Sequence, residues 1–251
     1  MNSNYRDSIK EKYLSYFKDN IPEDFLNKII SSLRIIESFH EEVNYLSFNG
    51  GKDCLAVFLL FKIFNALNQT NPTDLTLHNI TSYLKKAKES NTNKNIKFLY
   101  FVNSLHFREE EDYIFEIINR EKVETIYLNS EFIPGLYFLE SRFPNINNIY
   151  MGIRLIDLPQ NKRNIGFIEK STSPYPVFNR IYPIINWSYE DVWRLILVLD
   201  YPYLNLYDKG FTSIGKVTDT ETNKTLLISE NVYLPAYCLN NFDTEREYRY
   251  K

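Results

Sequence analysis

Apolar residues along this chain fall into two alternating rhythms, a helical spacing of three to four residues and short unbroken runs. Segments 5–17 and 25–38 carry the helical spacing, with Pro22 and the acidic pair Glu23-Asp24 marking the second start. An apolar run at 43–48 predicts a buried strand, and 52–66 predicts a helix directly behind it. The same alternation continues as strand 97–102, helix 109–120, strand 124–128, helix 132–141 and strand 148–151, which ends at Gly152. A short strand is expected at 181–187, followed by a helix with Ser188 as N-cap and Glu190 and Asp191 in its first turn. Residues 68–96 are polar and irregular around a short helix at 78–88, and read as a surface insertion between Asn-rich stretches.

Strands separated by helices favour right-handed crossovers, hence an α/β fold with a Rossmann-like, mostly parallel sheet and helices on both faces. The expected organisation of 1–251 is a single domain: an amino-terminal helical cap over 1–40, the α/β core over 41–200, and a carboxyl-terminal extension at the substrate site over 201–251. No internal repeat and no linker rich in Pro and Gly divides it. Ligands of such sheets sit at the carboxyl ends of the strands. Both Asn49-Gly50-Gly51 and Gly152-Ile153-Arg154 fall at such ends, so the two segments are expected to face one another across a cleft.

Composition narrows the class of partner. At 251 residues and 44% hydrophobic the chain can bury a substantial core, and a net charge of −3 gives no nucleic-acid signature. The longest apolar runs, such as 55–61, are too short to span a bilayer, and the amino terminus lacks an apolar targeting core. A cytoplasmic monomer acting on small molecules, without membrane or nucleic acid, is the expectation. Cys54 and Cys238 form no metal-like spacing, and His40, His78 and His106 are scattered, so neither a disulfide framework nor a zinc site is expected.

Chemistry concentrates in Tyr45-Leu46-Ser47-Phe48-Asn49-Gly50-Gly51-Lys52-Asp53-Cys54, where a strand runs through a glycine turn straight into a helix. Without a Cβ on Gly50 and Gly51 the backbone can approach a ligand closely. The helix behind them points unpaired N–H groups and its positive dipole end at an anion. Lys52 adds a mobile positive charge, and Asp53 a carboxylate that a cation or a backbone amide can use. The spacing is neither a Walker A loop nor a dinucleotide fingerprint. A plain strand-to-helix turn is the alternative reading. In Gly152-Ile153-Arg154-Leu155-Ile156-Asp157, Arg154 can fork onto phosphate oxygens and Asp157 can serve a donor or a metal, although a surface salt bridge explains both equally well. Trp187 and Trp193 read as core.

The loop Ser47 to Cys54 resembles the pyrophosphatase loop of the PAPS-reductase-like family, with its adenine nucleotide alpha hydrolase-like fold, whose members bind ATP or a sulfonucleotide. Asn before the glycines and Cys after the Asp resemble the eukaryotic FMN adenylyltransferases, also called FAD synthetases. Further blocks follow in that family's order. Gly152, Arg154 and Asp157 are similar to its Gly-x-Arg-x-x-Asp segment, with Leu155 and Ile156 where polar residues are typical. Ser171 to Arg180 resembles the segment lining the flavin site, with Tyr175 in place of a usual Trp and direct matches at Phe178 and Arg180. Leu206 to Gly215 is similar to a Leu-Tyr-x-x-Gly-(Phe/Tyr)-Thr-Ser-(Ile/Leu)-Gly block, and the tail through Glu245, Arg246 and Arg249 to Glu-Arg-x-x-Arg.

The resemblance implies adenylylation of FMN: the FMN phosphate attacks the α-phosphorus of ATP, FAD forms and pyrophosphate leaves, with Mg²⁺ and no covalent intermediate. It assigns Ser47, Asn49, Gly50, Gly51, Lys52 and Arg154 to ATP, and Asp157, Tyr175, Phe178, Arg180, Arg246 and Arg249 to FMN or FAD. Asn49, Asp53, Asp157 and Arg246 are the implied catalytic set, with Asp53 or Asp157 toward the metal. Three alternatives share the fold. A sulfonucleotide reductase would use a Cys followed by Gly and His, which Cys238 lacks. A non-catalytic flavin or nucleotide sensor need not retain the full charge set, and a tRNA-modifying ATP pyrophosphatase calls for a basic region or zinc cysteines.

Overall fold

Successive residues of the inner strands feed two separate cores. The computed structural model describes residues 3–40, 42–68, 77–89, 96–102 and 105–249. Leu46, Phe48, Phe98, Tyr100 and Tyr150 pack into the larger core, whereas Tyr45, Leu99, Leu128 and Ile149 face the smaller one, as the pleat of a strand requires. Helices α1 (Ser3–Asp19) and α2 (Glu23–Glu37) precede β1 (Asn44–Ser47), α3 (Lys52–Asn68), α4 (Leu77–Glu89) and β2 (Ile96–Phe101). Then come α5 (Arg108–Glu121), β3 (Thr125–Leu128), α6 (Phe132–Arg142), β4 (Asn148–Tyr150), β5 (Ile168–Lys170), β6 (Asn179–Ile181) and α7 (Tyr189–Val198). The stretch beyond is built of short 3-10 turns and one hairpin, β7 (Leu227–Ser229) with β8 (Val232–Tyr233).

The main sheet has the order β3-β2-β1-β4-β6-β5, parallel except for the antiparallel edge strand β5. Helices α3, α4 and α5 contribute to the larger core, while Leu136 and Leu139 of α6 belong to the smaller. The winding therefore reverses between β1 and β4. Such a reversal opens a crevice beyond the carboxyl ends of the two strands. Helix α3 lies behind that crevice and is apolar on all sides; residues 55–60 are wholly buried, between the sheet and the helices α2, α4 and α7.

Helix α7 starts where the sequence places it. Ser188 Oγ accepts from the Asp191 N–H at 3.1 Å, and Asp191 Oδ2 accepts from the Ser188 N–H at 2.7 Å, a reciprocal capping box. Three expectations are corrected. Residues 68–96 are no surface insertion throughout, because Ile80, Tyr83, Leu84 and Ala87 of α4 form a helical stripe buried in the larger core; residues 69–76 and 90–95 lie outside the described residues. The strand expected at 181–187 ends at Ile181, after which Ile185 N–H bonds Tyr182 O and Trp187 N–H bonds Ile184 O in successive turns. Pro183 has no N–H to give a ladder, and the apolar residues there fill core rather than pleat. Strand β5 escaped the pattern because three residues at an edge carry no periodicity. Among the described residues no helix is long and apolar enough to cross a membrane.

Candidate active site

The turn after β1 is held open by its own backbone. Gly50 sits at φ +74°, a left-handed conformation, and a Cβ there would meet Ile114 Cγ1 of α5 at 3.0 Å. Asn49 Oδ1 accepts from the Gly51 N–H at 3.1 Å and from the Cys54 thiol at 2.9 Å. The Lys52 N–H donates to the Tyr207 hydroxyl at 2.9 Å, so a residue 155 positions downstream closes the first turn of α3. On the other side of the crevice Gly152 leaves β4 pressed against that turn. A Cβ on Gly152 would lie 2.5 Å from both Asp53 C and Cys54 N, backbone that cannot give way as a side chain can.

Beneath the turn lies a buried cluster of alternating charge. The fully buried Arg154 guanidinium reaches Asp53 at 3.0 Å, Asp157 at 2.9 Å and Glu245 at 2.6 Å. Lys52, 1% exposed, pairs with Asp53 at 2.9 Å and with Glu245 at 2.5 Å, and Arg246 meets Asp157 at 3.1 Å. Burial alone raises the Asp53 carboxyl, but Lys52 and Arg154 beside it outweigh that and hold it below the usual carboxylate range. Asp157 goes the other way: burial, reinforced by the neighbouring Asp53 carboxylate, outweighs Arg154 and raises it.

The carboxyl-terminal stretch closes over this cluster. Thr212 Oγ1 donates to the Glu245 carbonyl at 2.7 Å, and Asn223 Nδ2 donates to the Thr244 carbonyl at 3.0 Å. Thr220 and Arg249 form an antiparallel bridge, with the Glu221 N–H donating to the Tyr248 carbonyl at 2.9 Å. Together these bonds bring Arg246 and Arg249 to the wall of a 260 Å³ cavity that Ser47, Asn49, Gly51, Lys52 and Asp53 also line. A second, apolar pocket of 180 Å³ is lined by Tyr175, Phe178 and Arg180. The two share Phe132, Met151 and Ile153 as walls, so they adjoin. Phe132 also borders a polar cleft of 880 Å³ beyond the ends of β2 and β3.

Several expected site residues are placed differently from the sequence reading. Lys52 is not mobile, its ammonium being spent on Asp53 and Glu245. Arg154 and Asp157 do not line the phosphate cavity or the apolar pocket; they build the cluster that supports it, and Arg154 faces a separate 500 Å³ cavity behind. Gly50 turns its back on the cavity toward α5. Arg246 and Arg249 face the phosphate cavity rather than the apolar pocket. Arg180 pairs with Glu169 at 3.0 Å and stands 5.9 Å from the Tyr175 ring centre. Glu245, Tyr207 and Cys54 lie inside blocks that the sequence flags but were given no site role there, and Phe132 was not singled out at all.

Asp53 is the acid that suits a divalent ion. Its carboxylate lines the cavity while pairing with Lys52 and Arg154, whereas Asp157, enclosed by Arg154 and Arg246, does not line it. No group of three or more metal-ligating side chains occurs among the described residues. A single carboxylate at the cavity wall suits Mg²⁺, which is commonly held by one or two carboxylates and the phosphates of its substrate.

The family model described as phosphoadenosine phosphosulfate reductase domain matches residues 43–222. A probable FAD synthase of Schizosaccharomyces pombe is 34% identical over 227 residues, covering 88% of this chain and 78% of the relative. A probable FAD synthase of Caenorhabditis briggsae is 30% identical over 90% of the chain, which spans only 40% of that relative's length. The crystal structure of Candida glabrata FMN adenylyltransferase in complex with ATP superposes with a TM-score of 0.71 at 18% identity, covering 97% of this chain and 96% of the other. At that identity the superposition shows a shared fold.

Proposed function

The chain belongs to the phosphoadenosine phosphosulfate reductase domain family, among the FAD synthases, and from that premise we propose that it transfers the adenylyl group of ATP to FMN. The observation that carries the reading is the adjacency of the two pockets across Phe132, Met151 and Ile153. A flavin ring against Tyr175 in the apolar pocket places its phosphate in the cavity of Asn49, Arg246 and Arg249, where the ATP phosphates also lie. The adenosine then extends past Phe132 into the polar cleft.

In the reaction an oxygen of the FMN phosphate forms a bond to the α-phosphorus, and the bond to the β-phosphate bridging oxygen breaks, leaving its electron pair on pyrophosphate. Two anionic groups must approach, so the work of the protein is alignment and charge neutralisation. Arg246 and Arg249 supply cations at the cavity wall. Asn49 presents its carboxamide to the reacting phosphate, and Asp53 would hold Mg²⁺, which when bound offsets charge on the phosphates of ATP. Tyr175 and Phe132 exclude water from the flavin side.

A thiol-based reductase is disfavoured by both cysteines. Burial pushes Cys238 up to about 11 and Cys54 up to about 12, which keeps each a thiol rather than a nucleophilic thiolate. Cys238 lies beside Tyr13, away from the phosphate cavity.

Purified protein incubated with FMN, ATP and Mg²⁺ is expected to yield FAD and pyrophosphate in equal amounts by chromatography. Asn49→Ala should lower that rate by about 10²- to 10³-fold while the circular dichroism stays unchanged, the range for loss of one preorganised donor. Binding of both substrates without product would make the protein a sensor instead, and failure to bind either would overturn the reading.

A further inference from the structure

We propose that Cys54 is a positioning residue for adenylyl transfer: its thiol fixes the Asn49 carboxamide so that the Nδ2 end faces the reacting phosphates. The inference rests on the function proposed above and adds a residue to it. Asn49 is solvent-exposed, and an exposed carboxamide is free to rotate and to exchange its oxygen and nitrogen ends. Here the oxygen end is taken twice, by the Gly51 N–H at 3.1 Å and by the Cys54 thiol at 2.9 Å. An oxygen holding two donors cannot trade places with an NH₂ group, which would set donor against donor. Both Nδ2 hydrogens are thereby directed away from α3, and Asn49 lines the phosphate cavity.

The alternative acceptor for the thiol is the Gly51 carbonyl at 3.0 Å, which already receives the Leu55 N–H of α3 at 3.0 Å. A thiol has one hydrogen, and Asn49 Oδ1 has the shorter contact. Cys54 is 4% exposed, so water does not compete for its thiol. The residue also belongs to the larger core, which gives a competing account: Cys54 merely fills space behind the turn.

Three variants separate the two accounts. Cys54→Ser keeps a donor, Cys54→Val fills the space and somewhat more without a donor, and Cys54→Ala keeps neither. Positioning predicts that Cys54→Ser retains kcat within about threefold, whereas Cys54→Val and Cys54→Ala lose about tenfold with the KM for ATP within about twofold, the scale of one lost hydrogen bond. Space-filling predicts the reverse order, with Val at least as active as Ser. The decisive arm repeats Cys54→Ala in an Asn49→Ala background, where a residue acting through Asn49 has nothing left to position and should cost less than about twofold. The same tenfold loss in that background, or wild-type kcat for Cys54→Val, overturns the proposal. A wild-type protein that forms no FAD fails at the first assay and overturns the functional reading instead.

Discussion

At the scale of single residues, Glu245 decides whether two cations can stay buried. It accepts from Lys52 at 2.5 Å and from Arg154 at 2.6 and 2.7 Å, and is itself 5% exposed. Removing one partner of a buried pair leaves the other uncompensated, which costs about 3–5 kcal/mol. Glu245→Gln is therefore expected to lower Tm by about 10 °C in a chain of this size, and to lower kcat as Arg246 loses its anchorage. An unchanged Tm would show that the cluster is not what holds the tail. The Glu245 role was not legible in the sequence, because its partners lie 193 and 91 residues away and no local pattern records them. For the same reason Lys52 and Arg154 read as phosphate contacts. A positive side chain beside a glycine turn looks alike whether it faces a ligand or a buried carboxylate.

At the scale of elements, two substitutions should behave oppositely. Gly152→Ala puts a methyl 2.5 Å from the backbone of Asp53 and Cys54, so β4 and the first turn of α3 must separate. A displacement near 1 Å at the phosphate turn is expected to cost about 10²-fold in kcat. Ser188→Ala removes the reciprocal cap of α7, remote from the phosphate cavity, and should cost about 1 kcal/mol in urea denaturation while leaving kcat unchanged. Equal kinetic effects from the two would contradict the placement of the site. Elements with strong local signals were legible: the apolar strands, the largely apolar α3 and the Ser188 cap. Where local and tertiary signals diverged, reading failed. Asn-rich flanks hid the buried stripe of α4, and apolar core residues after Ile181 imitated a strand.

At the scale of the whole molecule, stability should carry an alkaline liability traceable to Glu110. Burial pushes its carboxyl from 4.5 up to about 8, only partly offset by the Phe107 backbone and Arg249, and Oε2 has no hydrogen bond among the described residues. Below about pH 4.5 the group is protonated in folded and unfolded chains alike and costs nothing. As pH rises through that value toward 8 the unfolded chain releases a proton that the folded protein keeps, so stability falls with pH until the folded-state pKa is passed. Glu110→Gln, neutral throughout, is expected to match the wild type near pH 5 and exceed it by about 4 kcal/mol near pH 9 in urea melts. A gap independent of pH would remove Glu110 from that role. The alternation of strands and helices was legible in the sequence, and it placed both loops at strand carboxyl ends across one cleft. The closure by residues 206–249 was not, since short turns without periodicity carry that work.

The Lys52–Glu245 contact spans 193 residues, nearly the full length of the chain. A ribosome making this protein thus releases the phosphate turn long before the carboxylate that neutralises it. Until then Lys52 and Arg154 lack the carboxylate that both of them meet, and Arg246 and Arg249 of the cavity wall have not been synthesised. A partly made chain thus holds the recognisable loop without the segment that completes its cavity.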